Sequence, residues 1–377
     1  MRILIVGAGI GGAALGVALA RRGIEAELVE KRAALADAGA GIVLAPNVLA
    51  ALGPMGLTDA AAAIGVPIRR FTILDQSGAE LGRTIPEVPG YAFPPLAFSR
   101  AALQAMLHRA LPTPARFGVG AERFTPHADG VGVAFSDGSE GRYALVVGAD
   151  GIRSALRESL NPGFRTRHSG QTCWRVIVAG EHGLDGAVEM WGPGRRFGAV
   201  PMGPSSTYLF LTLDAPAGAP APYADLAGFR ALWKDFGGPA PELIGRIPSL
   251  DALLHNDLED GIPARWWAPR QVLLGDAAHA VTPNLGQGAG LAIEDAACLA
   301  ALLAEGGPTD AVLARYEALR RPRARWIMDQ SYSFGQVAHT SNGLLRGIRD
   351  LLLRVTPTAI HAGAYARVVR GAEGVPT

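Results

Sequence analysis

This chain of 377 residues has few cysteines and lysines, and it has no large excess of charge of either sign. Its two cysteines, Cys173 and Cys298, are far apart, which excludes a disulfide framework and a paired-cysteine redox centre. Lys31 and Lys234 are the only lysines, and the formal net charge is +1, so no basic block can follow a nucleic-acid backbone. The sequence therefore predicts a cytoplasmic protein that does not bind nucleic acids.

Long apolar runs and metal-binding patterns are also missing. The apolar N-terminus leads directly into glycines rather than into the core of a signal peptide, and no run of about 18 apolar residues follows that could span a membrane. The eight histidines lack the spacing of metal ligands, so we expect no metal site. With 49% hydrophobic and 18% charged residues, the chain can instead build a large core, and its length suggests two or three lobes.

Three apolar segments predict strands of one parallel sheet. Residues 3–6 are apolar at every position, which is typical of a strand buried on both faces. A glycine-rich turn, a helical pattern over residues 13–22 and a second strand over residues 25–30 follow. Residues 145–151 and 272–276 each repeat an apolar strand that ends on glycine and aspartate. Because ligands bind at the carboxyl ends of parallel strands, these strand ends predict one extended ligand site.

Other segments have the alternation and the turn residues of an antiparallel sheet. Residues 67–85 predict a hairpin around residues 75–78, and residues 171–213 predict several short strands. Periodic apolar segments predict helices over residues 100–111 (with Ser99 as the N-cap), 291–303, 310–326 and 344–353. The predicted fold is α/β (α+β overall), with a Rossmann-like domain, an inserted antiparallel-sheet domain and C-terminal helices.

The first glycine-rich turn has the pattern of a dinucleotide-binding site. Gly7, Gly9 and Gly12 lie between a buried strand and a helix, where they permit a tight turn, a close backbone approach and an exposed helix N-terminus for a pyrophosphate. Glu30 ends the next strand, and its carboxylate can bind an adenosine ribose and would repel a 2′-phosphate. The site therefore suits FAD or NAD better than NADP, and a glycine-rich turn without a ligand is the alternative.

The later strand ends carry further candidate residues. Asp150 and Asp276 follow the second and third buried strands, although aspartates at such turns are also common as solvated residues. Residues 286–290 begin a helix whose free N–H groups and positive dipole end can stabilise an anion such as reduced flavin; a loose turn is the alternative. We expect His279 to be structural rather than an acid or base.

Together these motifs resemble the single-component flavoprotein monooxygenases, the FAD-dependent aromatic hydroxylases related to p-hydroxybenzoate hydroxylase. The resemblance runs from residue 1 to about residue 357. It implies that Asp276 binds the flavin ribitol, that Arg100 lies near the ribitol and the pyrophosphate, and that the Asp150 turn contributes to FAD and nicotinamide binding. The predicted cofactor-binding residues are Gly7, Gly9, Gly12, Glu30, Arg100, Asp150, Gly151, Asp276, Pro283, Gly286, Gln287 and Gly288.

The resemblance also suggests how the domains are divided. The predicted FAD-binding domain is discontinuous and the substrate domain is inserted into it. The predicted limits are residues 1–70, 99–170 and 265–330 for the FAD-binding domain, 71–98 and 171–264 for the substrate domain, and 331–377 for a C-terminal helical segment.

Two adjacent predicted strands carry the candidate substrate residues. Alternation places Arg196, Gly198 and Val200 on one face, and it groups Tyr208 with Phe210 and Thr212. A cation beside a phenol suits an anionic planar substrate. This arrangement resembles the bacterial FAD-dependent urate hydroxylases, where the matching Arg and Tyr lie at the substrate; a sheet-edge arginine is the alternative for Arg196. We expect Trp174 to be a core residue.

The activity that the resemblance implies is a hydroxylation. NADH or NADPH reduces noncovalently bound FAD, O2 forms a C4a-hydroperoxide, and this species oxygenates an electron-rich ring such as a phenol, an aromatic acid or a purine like urate. A flavin-dependent reductase or dehydrogenase of the same fold, without oxygen insertion, is the alternative. A non-catalytic flavin-binding regulator is a third hypothesis, and the sequence leaves the choice of NADH or NADPH and the oligomeric state open.

Overall fold

The computed structural model describes residues 2–35, 40–371 and 376. Its strands are β1 (Ile3–Val6), β2 (Ala26–Glu30), β3 (Gly41–Leu44), β4 (Val66–Pro67), β5 (Phe71–Asp75), β6 (Glu80–Thr84), β7 (Leu96–Ser99), β8 (Arg116–Phe117), β9 (Ala121–His127), β10 (Gly130–Phe135), β11 (Glu140–Tyr143), β12 (Leu145–Gly148), β13 (Arg167–Ala179), β14 (Ala187–Gly192), β15 (Arg195–Pro201), β16 (Ser206–Asp214), β17 (Leu254–Asp260), β18 (Trp267–Ala268) and β19 (Gln271–Leu273).

The helices alternate with these strands and then dominate the C-terminal part. They are α1 (Ile10–Ala20), α2 (Pro46–Ala51), α3 (Thr58–Ile64), α4 (Arg100–Arg109), α5 (Ala155–Leu160), α6 (Leu226–Ala231), α7 (Ala240–Gly245), α8 (Gly288–Glu305), α9 (Thr309–Ala338), α10 (Gly343–Val355) and α11 (Thr358–Arg370). Short 3₁₀ turns at Gly151–Arg153, Gly275–Ala277 and Pro283–Leu285 lie at the strand ends and before α8.

A six-stranded sheet in the order β18-β19-β12-β1-β2-β8 forms the first layer. The strands β2, β1, β12 and β19 run parallel to one another, which confirms that the three apolar segments found in the sequence lie side by side. Every residue of β1 and β12 is buried, as expected for strands covered on both faces. The helix α1 begins at Ile10, three residues before the predicted start, because the turn passes directly from Gly9 into helix.

A seven-stranded sheet in the order β17-β13-β16-β15-β14-β5-β6 forms the second layer. The predicted hairpin is confirmed as β5 and β6, which pair in antiparallel fashion from Phe71 and Thr84 onward. The strand β13 begins at Arg167, before the predicted strands, and pairs with both β16 and β17. One pair, β14 with β5, is parallel, because the chain crosses over to place the hairpin beside β14.

The chain crosses between these layers at places that differ from some of the predicted limits. The strand β7 pairs with β3 and β4 in a separate small sheet, so residues 96–98 lie with strands of the predicted FAD-binding part rather than with the substrate sheet. The helix α9 is longer than the predicted 310–326 and continues through Pro322 to Ala338. The predicted limit between residues 330 and 331 therefore falls inside one continuous helix.

Candidate active site

Two of the three glycines of the first turn are required by close backbone contacts, and the third lies beside open space. Gly7 has φ +102°, and a Cβ there would lie 2.5 Å from the carbonyl oxygen of Ala149, so this residue lets the ends of β1 and β12 approach. A Cβ on Gly12 would lie 1.9 Å from the carbonyl oxygen of Gly7. Gly9 differs, because a Cβ there would meet nothing within 4 Å. The N-terminus of α1 therefore opens on free space, as a bound pyrophosphate requires.

Glu30 lies beside this turn at the end of β2. Its Oε2 accepts a hydrogen bond of 3.0 Å from the backbone N–H of Ala8, and its Oε1 accepts one of 3.0 Å from that of Arg32. These two bonds hold the carboxylate next to the glycines. A carboxylate fixed at this place suits the hydroxyls of an adenosine ribose.

Asp150 occupies the corresponding place after β12. Its Oδ2 accepts a hydrogen bond of 2.7 Å from the N–H of Ala155, whereas its Oδ1 is buried without a hydrogen-bond partner. Desolvation raises the pKa of this carboxyl. Gly151, the next residue, has φ +78° and turns the chain into α5. An unpartnered buried oxygen at a strand end is a position where a ligand hydroxyl or amide can complete the hydrogen bonding.

Asp276 and Arg100 come from distant parts of the chain and lie close enough for their charges to influence each other. Asp276 follows β19 in a 3₁₀ turn, and Arg100 is the first residue of α4, where the Ser99 hydroxyl accepts a bond of 3.1 Å from Ala102 N–H, as predicted for an N-cap. Asp276 is accessible to solvent, yet enough protein surrounds it that desolvation raises the pKa of its carboxyl, with Arg100 opposing this rise. Desolvation likewise lowers the pKa of Arg100.

The loop before α8 is preformed by a left-handed turn and by buried side chains. Pro283 begins a 3₁₀ turn, Gly286 has φ +64° with open space where a Cβ would stand, and Gln287 precedes Gly288, the first residue of α8. The Gln287 Oε1 accepts a 3.4 Å hydrogen bond from Nδ2 of Asn47, whose own Oδ1 is buried without a partner. The first N–H groups of α8 consequently point along this loop with the positive dipole end exposed to a ligand.

A buried ionic network fixes α8 to the loop after β19. Asp295 accepts bonds from Nε2 of His279 at 2.5 Å and from Nε of Arg320 at 2.7 Å, and these contacts hold the pKa of Asp295 at about 2 against its burial. Glu294 accepts bonds from Arg320 and Arg323, each at 2.7 Å. His279 is completely buried in this network, which agrees with the structural role predicted for it. The network positions the Asp276 turn relative to α8.

The predicted substrate residues do share one face of the seven-stranded sheet. In the pairing of β15 with β16, Arg196 lies opposite Thr212, and Val200 lies opposite Tyr208. Arg196 is only 2% exposed, and its guanidinium donates to Glu189 at 2.9 Å, to the Thr212 hydroxyl at 3.3 Å and to Oδ1 of Asn284. Arg196 is thus no sheet-edge residue: it joins the substrate sheet to the loop before α8, and Glu189 balances its charge.

Tyr208 lies at the contact between this sheet and β3. A Cβ on Gly41 would lie 2.4 Å from Cγ of Tyr208, so the ring packs directly on the β3 backbone. Burial raises the pKa of Tyr208, and the adjacent Arg175, which interacts with its hydroxyl, opposes that rise. Arg100 is close enough to Tyr208, Arg175 and Asp276 to be influenced by their charges. Residues of both layers therefore converge on one region.

Several residues of this region are absent from the sequence prediction: Asn47, Arg175, Glu189 and Asn284. The sequence shows the alternation in β15 and β16 but not the register between strands. That register places Arg175 opposite Phe210 and Glu189 opposite Gly198. Trp174 points to the other face and is completely buried, which confirms it as a core residue.

The region fits FAD on the evidence of its own atoms. It combines an open helix N-terminus at Gly9, the unpartnered oxygen of Asp150 and open space at Gly286. Within residues 2–35, 40–371 and 376, no group of three or more His, Cys, Asp or Glu side chains could hold a metal ion. Among the helices of the same residues, none is both long and apolar enough to cross a membrane.

The fold and the site are those of an FAD-binding protein, and comparison with known proteins agrees with this. A family model described as an FAD binding domain matches residues 1–331, and the chain belongs to this family. It is an FAD-dependent monooxygenase, and the relatives below are aromatic monooxygenases and hydroxylases.

The relatives match over nearly their whole lengths. The chain is 39% identical to an aurachin C monooxygenase/isomerase of Stigmatella aurantiaca, over 94% of each chain, and 36% identical to a 2-heptyl-3-hydroxy-4(1H)-quinolone synthase of Pseudomonas aeruginosa, over 98% of each. It is 34% identical to an FAD-dependent urate hydroxylase of Klebsiella pneumoniae, over 90% of this chain and 91% of the relative. The structure of Klebsiella pneumoniae HpxO complexed with FAD and uric acid superposes with a TM-score of 0.90 at 28% identity, covering 98% of this chain and 97% of that one.

Proposed function

We propose that this monooxygenase uses NADH or NADPH and O2 in the cytoplasm to hydroxylate an electron-rich heteroaromatic ring, with 4(1H)-quinolones as the first substrate class to test. The observation that carries the proposal is the packing of Tyr208 on the β3 backbone at Gly41, next to Ala40, whose carbonyl oxygen accepts the Arg100 N–H at 2.9 Å. This places cofactor-binding groups and aromatic-binding groups in one region. The alternative, a reductase or dehydrogenase of the same fold, differs in leaving no oxygen in the product.

In this proposal the protein holds the cofactor noncovalently and controls charge around it. The backbone N–H groups at Gly9 would bind the pyrophosphate, Glu30 the ribose, and Asp276 a ribitol hydroxyl. Bound FAD supplies the transfer of electrons from NAD(P)H and the activation of O2. The first N–H groups of α8 would stabilise negative charge on the reduced ring, because the helix dipole is positive there.

Tyr208 and Arg196 keep their proposed places at the substrate, with Arg175 added. Tyr208 offers an aromatic face and a hydroxyl, and the Arg175 guanidinium beside it favours the anionic form of a ring hydroxyl or enol. Such an anion is the more electron-rich form that accepts an electrophilic oxygen. Arg196 already has Glu189, Thr212 and Asn284 as partners, so it would contact a substrate with its charge largely balanced.

The balanced charge of Arg196 favours a weakly acidic heterocycle over a carboxylate or a strongly anionic substrate. One relative of nearly full coverage supports this choice, because it is named as a 2-heptyl-3-hydroxy-4(1H)-quinolone synthase. Urate is the second candidate, since one relative is named as an FAD-dependent urate hydroxylase and a similar solved structure is a complex with uric acid. Both ring systems are planar and ionise to delocalised anions.

The experiment is a substrate comparison on the FAD-loaded enzyme. Oxidation of NADH and of NADPH is followed with 2-heptyl-4(1H)-quinolone, urate and salicylate, while peroxide release and product mass are recorded under 18O2. We expect the quinolone to stimulate oxidation and to gain one oxygen atom from O2 with little peroxide. Product formation without 18O would favour the reductase, and peroxide alone with every compound would reject the proposed substrates.

A cofactor variant tests the FAD part separately. Asp276→Ala should weaken FAD retention by roughly 1.5 to 3 kcal/mol, because a ribitol hydroxyl loses a charge-assisted hydrogen bond. Glu80→Ala, an exposed carboxylate on β6, is the matched control. Acid precipitation should release the flavin from the parent enzyme, since the proposal has no covalent link. Equal FAD affinity in Asp276→Ala and the parent would remove Asp276 from the site.

A further inference from the structure

The helix α10 exposes an unusually large apolar face. Six of its seven large apolar residues, all except Leu353, are spaced so that they lie on one side of the helix, at positions i, i+1, i+4, i+7, i+8 and i+11. Between 48% and 74% of each side chain is exposed, and the six are Leu344, Leu345, Ile348, Leu351, Leu352 and Val355. We call this set the α10 apolar face. Ile360 of α11, which is 61% exposed, adds to the apolar surface of the same C-terminal segment.

The opposite side of α10 is charged, and it is the charged side that packs on the protein. Arg349 is 7% exposed and donates to the carbonyl oxygens of Val337 at 3.2 Å and Ala338 at 2.9 Å. Its guanidinium also lies 5.0 Å from the ring centroid of Trp191. Arg354 pairs with Asp75 of the β5–β6 hairpin at 2.9 Å. The orientation is thus the reverse of an ordinary surface helix, which buries its leucines and exposes its arginines.

Such a face needs an apolar environment to be stable. Contiguous apolar patches of this kind on a monomer mark an interaction site with another protein or with a membrane. The helix has 13 residues and is therefore about 20 Å long, at 1.5 Å per residue, which is too short to span a bilayer but suits a helix lying in its interface. A membrane surface and a second copy of this chain are the two occupants to weigh.

The charge of the surrounding segment separates these occupants. Residues 340–371 contain five arginines, of which the buried Arg349 pairs with Asp350, the single acidic residue of the segment, and Arg354 pairs with Asp75 of the hairpin. Counted together with Asp75, this segment therefore keeps three net positive charges, whereas the whole chain has a net charge of only +1. A two-fold dimer through α10 would bring two such positive segments together, which is unfavourable. A bilayer containing anionic lipid complements both the apolar face and the positive charge.

We propose that the α10 apolar face inserts into the interface of an anionic phospholipid membrane and holds the enzyme at that surface. The contact is close to the substrate sheet, because Arg349 lies over Trp191, which pairs with Arg196 between β14 and β15. An enzyme docked in this way would take up an apolar aromatic substrate where membranes concentrate it. The inference does not depend on which ring is hydroxylated.

The test measures binding of the full FAD-loaded chain to vesicles of equal parts phosphatidylcholine and phosphatidylglycerol. Vesicles of phosphatidylcholine alone show the charge dependence. The double variant Leu351→Gln, Leu352→Gln should bind about 30-fold or more weakly, because two apolar side chains no longer enter the bilayer. Ile64→Gln, which alters an exposed apolar residue of α3, should bind like the parent. FAD content of each variant reports that the fold is intact.

Sedimentation velocity without lipid distinguishes self-association. We expect a monomer in the parent and in the double variant. Three results together support the proposal: the parent binds strongly only to anionic vesicles, the double variant binds more weakly, and high salt weakens the binding. A parent dimer that dissociates in the double variant would overturn it and assign the face to a second copy. Absent vesicle binding, or equal binding by the double variant, would overturn it as well.

Discussion

The two faces of the seven-stranded sheet come from the same strands but differ in almost every physical property. One face carries Trp174, Phe197 and Leu211, all completely buried, and is covered by α6, α7 and an aromatic cluster that includes Phe229 and Trp233. The other face carries Arg175, Glu189, Arg196 and Tyr208 and meets the FAD-binding layer. Strict alternation along each strand separates the two sets.

This contrast shows how one sheet serves stability and chemistry at once. The apolar face needs only close packing, since its side chains carry few polar groups. The polar face is almost as buried but must satisfy its charged and polar groups, and it does so in pairs: Arg196 with Glu189, and His339 with Asp214 at 2.6 Å. A change on the first face should therefore alter stability, and a change on the second should alter substrate binding as well.

The largest expected effect is on the apolar face. Trp174→Ala should lower the free energy of unfolding by about 4 kcal/mol, because a completely buried indole leaves a cavity against Phe229 and Tyr223. Urea denaturation followed by circular dichroism measures this change. The folded fraction should keep the parent KM, and a raised KM at unchanged stability would contradict the division between the faces.

Arg196→Met should have the next largest effect. It leaves the Glu189 carboxylate buried without its cation, which should cost about 3 kcal/mol of stability, measured in the same denaturation assay. Adding Glu189→Gln in a double variant should restore most of that stability, because the unpaired charge is removed.

The same pair of variants separates two roles for Arg196. If Arg196 also anchors the substrate, kcat/KM should stay low in the stable double variant. The single variant Arg196→Lys should keep only part of the parent kcat/KM, since a lysine ammonium does not reproduce the planar set of N–H donors of a guanidinium. Recovery of both stability and kcat/KM in the double variant would leave Arg196 as a positioning residue alone.

Tyr208→Phe should change binding but hardly change stability. It removes one hydroxyl beside Arg175 and keeps the ring packed on Gly41, so we expect KM to rise about 5-fold, equivalent to about 1 kcal/mol. Steady-state kinetics with the substrate identified above provide the measurement. Tyr223→Phe, on the apolar face, is the matched control and should leave KM unaltered.

The smallest expected effect is a pH dependence from His339. Burial lowers the pKa of His339 below its ordinary value of 6.5, so the unfolded chain binds this proton more readily than the folded protein. The stability from neutral His339 is thus fully present above pH 6.5 and is lost as the pH falls toward the lowered folded value. His339→Gln should flatten this part of the unfolding profile relative to the parent. If the free energy of unfolding changed with pH equally in the parent and in His339→Gln below neutral pH, the lowered pKa would not belong to His339.

Local patterns in the sequence were sufficient to predict much of the local structure around the FAD-binding residues. The order of glycines, the apolar runs before Asp150 and Asp276, and Ser99 at the start of α4 are all features of neighbouring residues, and the structure confirms the strands, turns and N-cap that they predict. The precise ends of α1 and α9 were less accessible, because the chain passes directly from Gly9 into α1 and α9 continues beyond residue 326 to Ala338, and helix ends depend on packing as well as on local pattern.

The sequence by itself determined which residue types stand at each strand end and on each face of β15 and β16, because alternation and turn chemistry act over a few residues. Only the tertiary structure decided their partners. The hydrogen bond of Arg196 to Asn284 and the contact of Tyr208 with Gly41 join segments distant in the chain, and the outward orientation of the α10 leucines follows from the side of the helix that packs on the protein. Such contacts depend on how whole layers pack, and no local pattern encodes that packing.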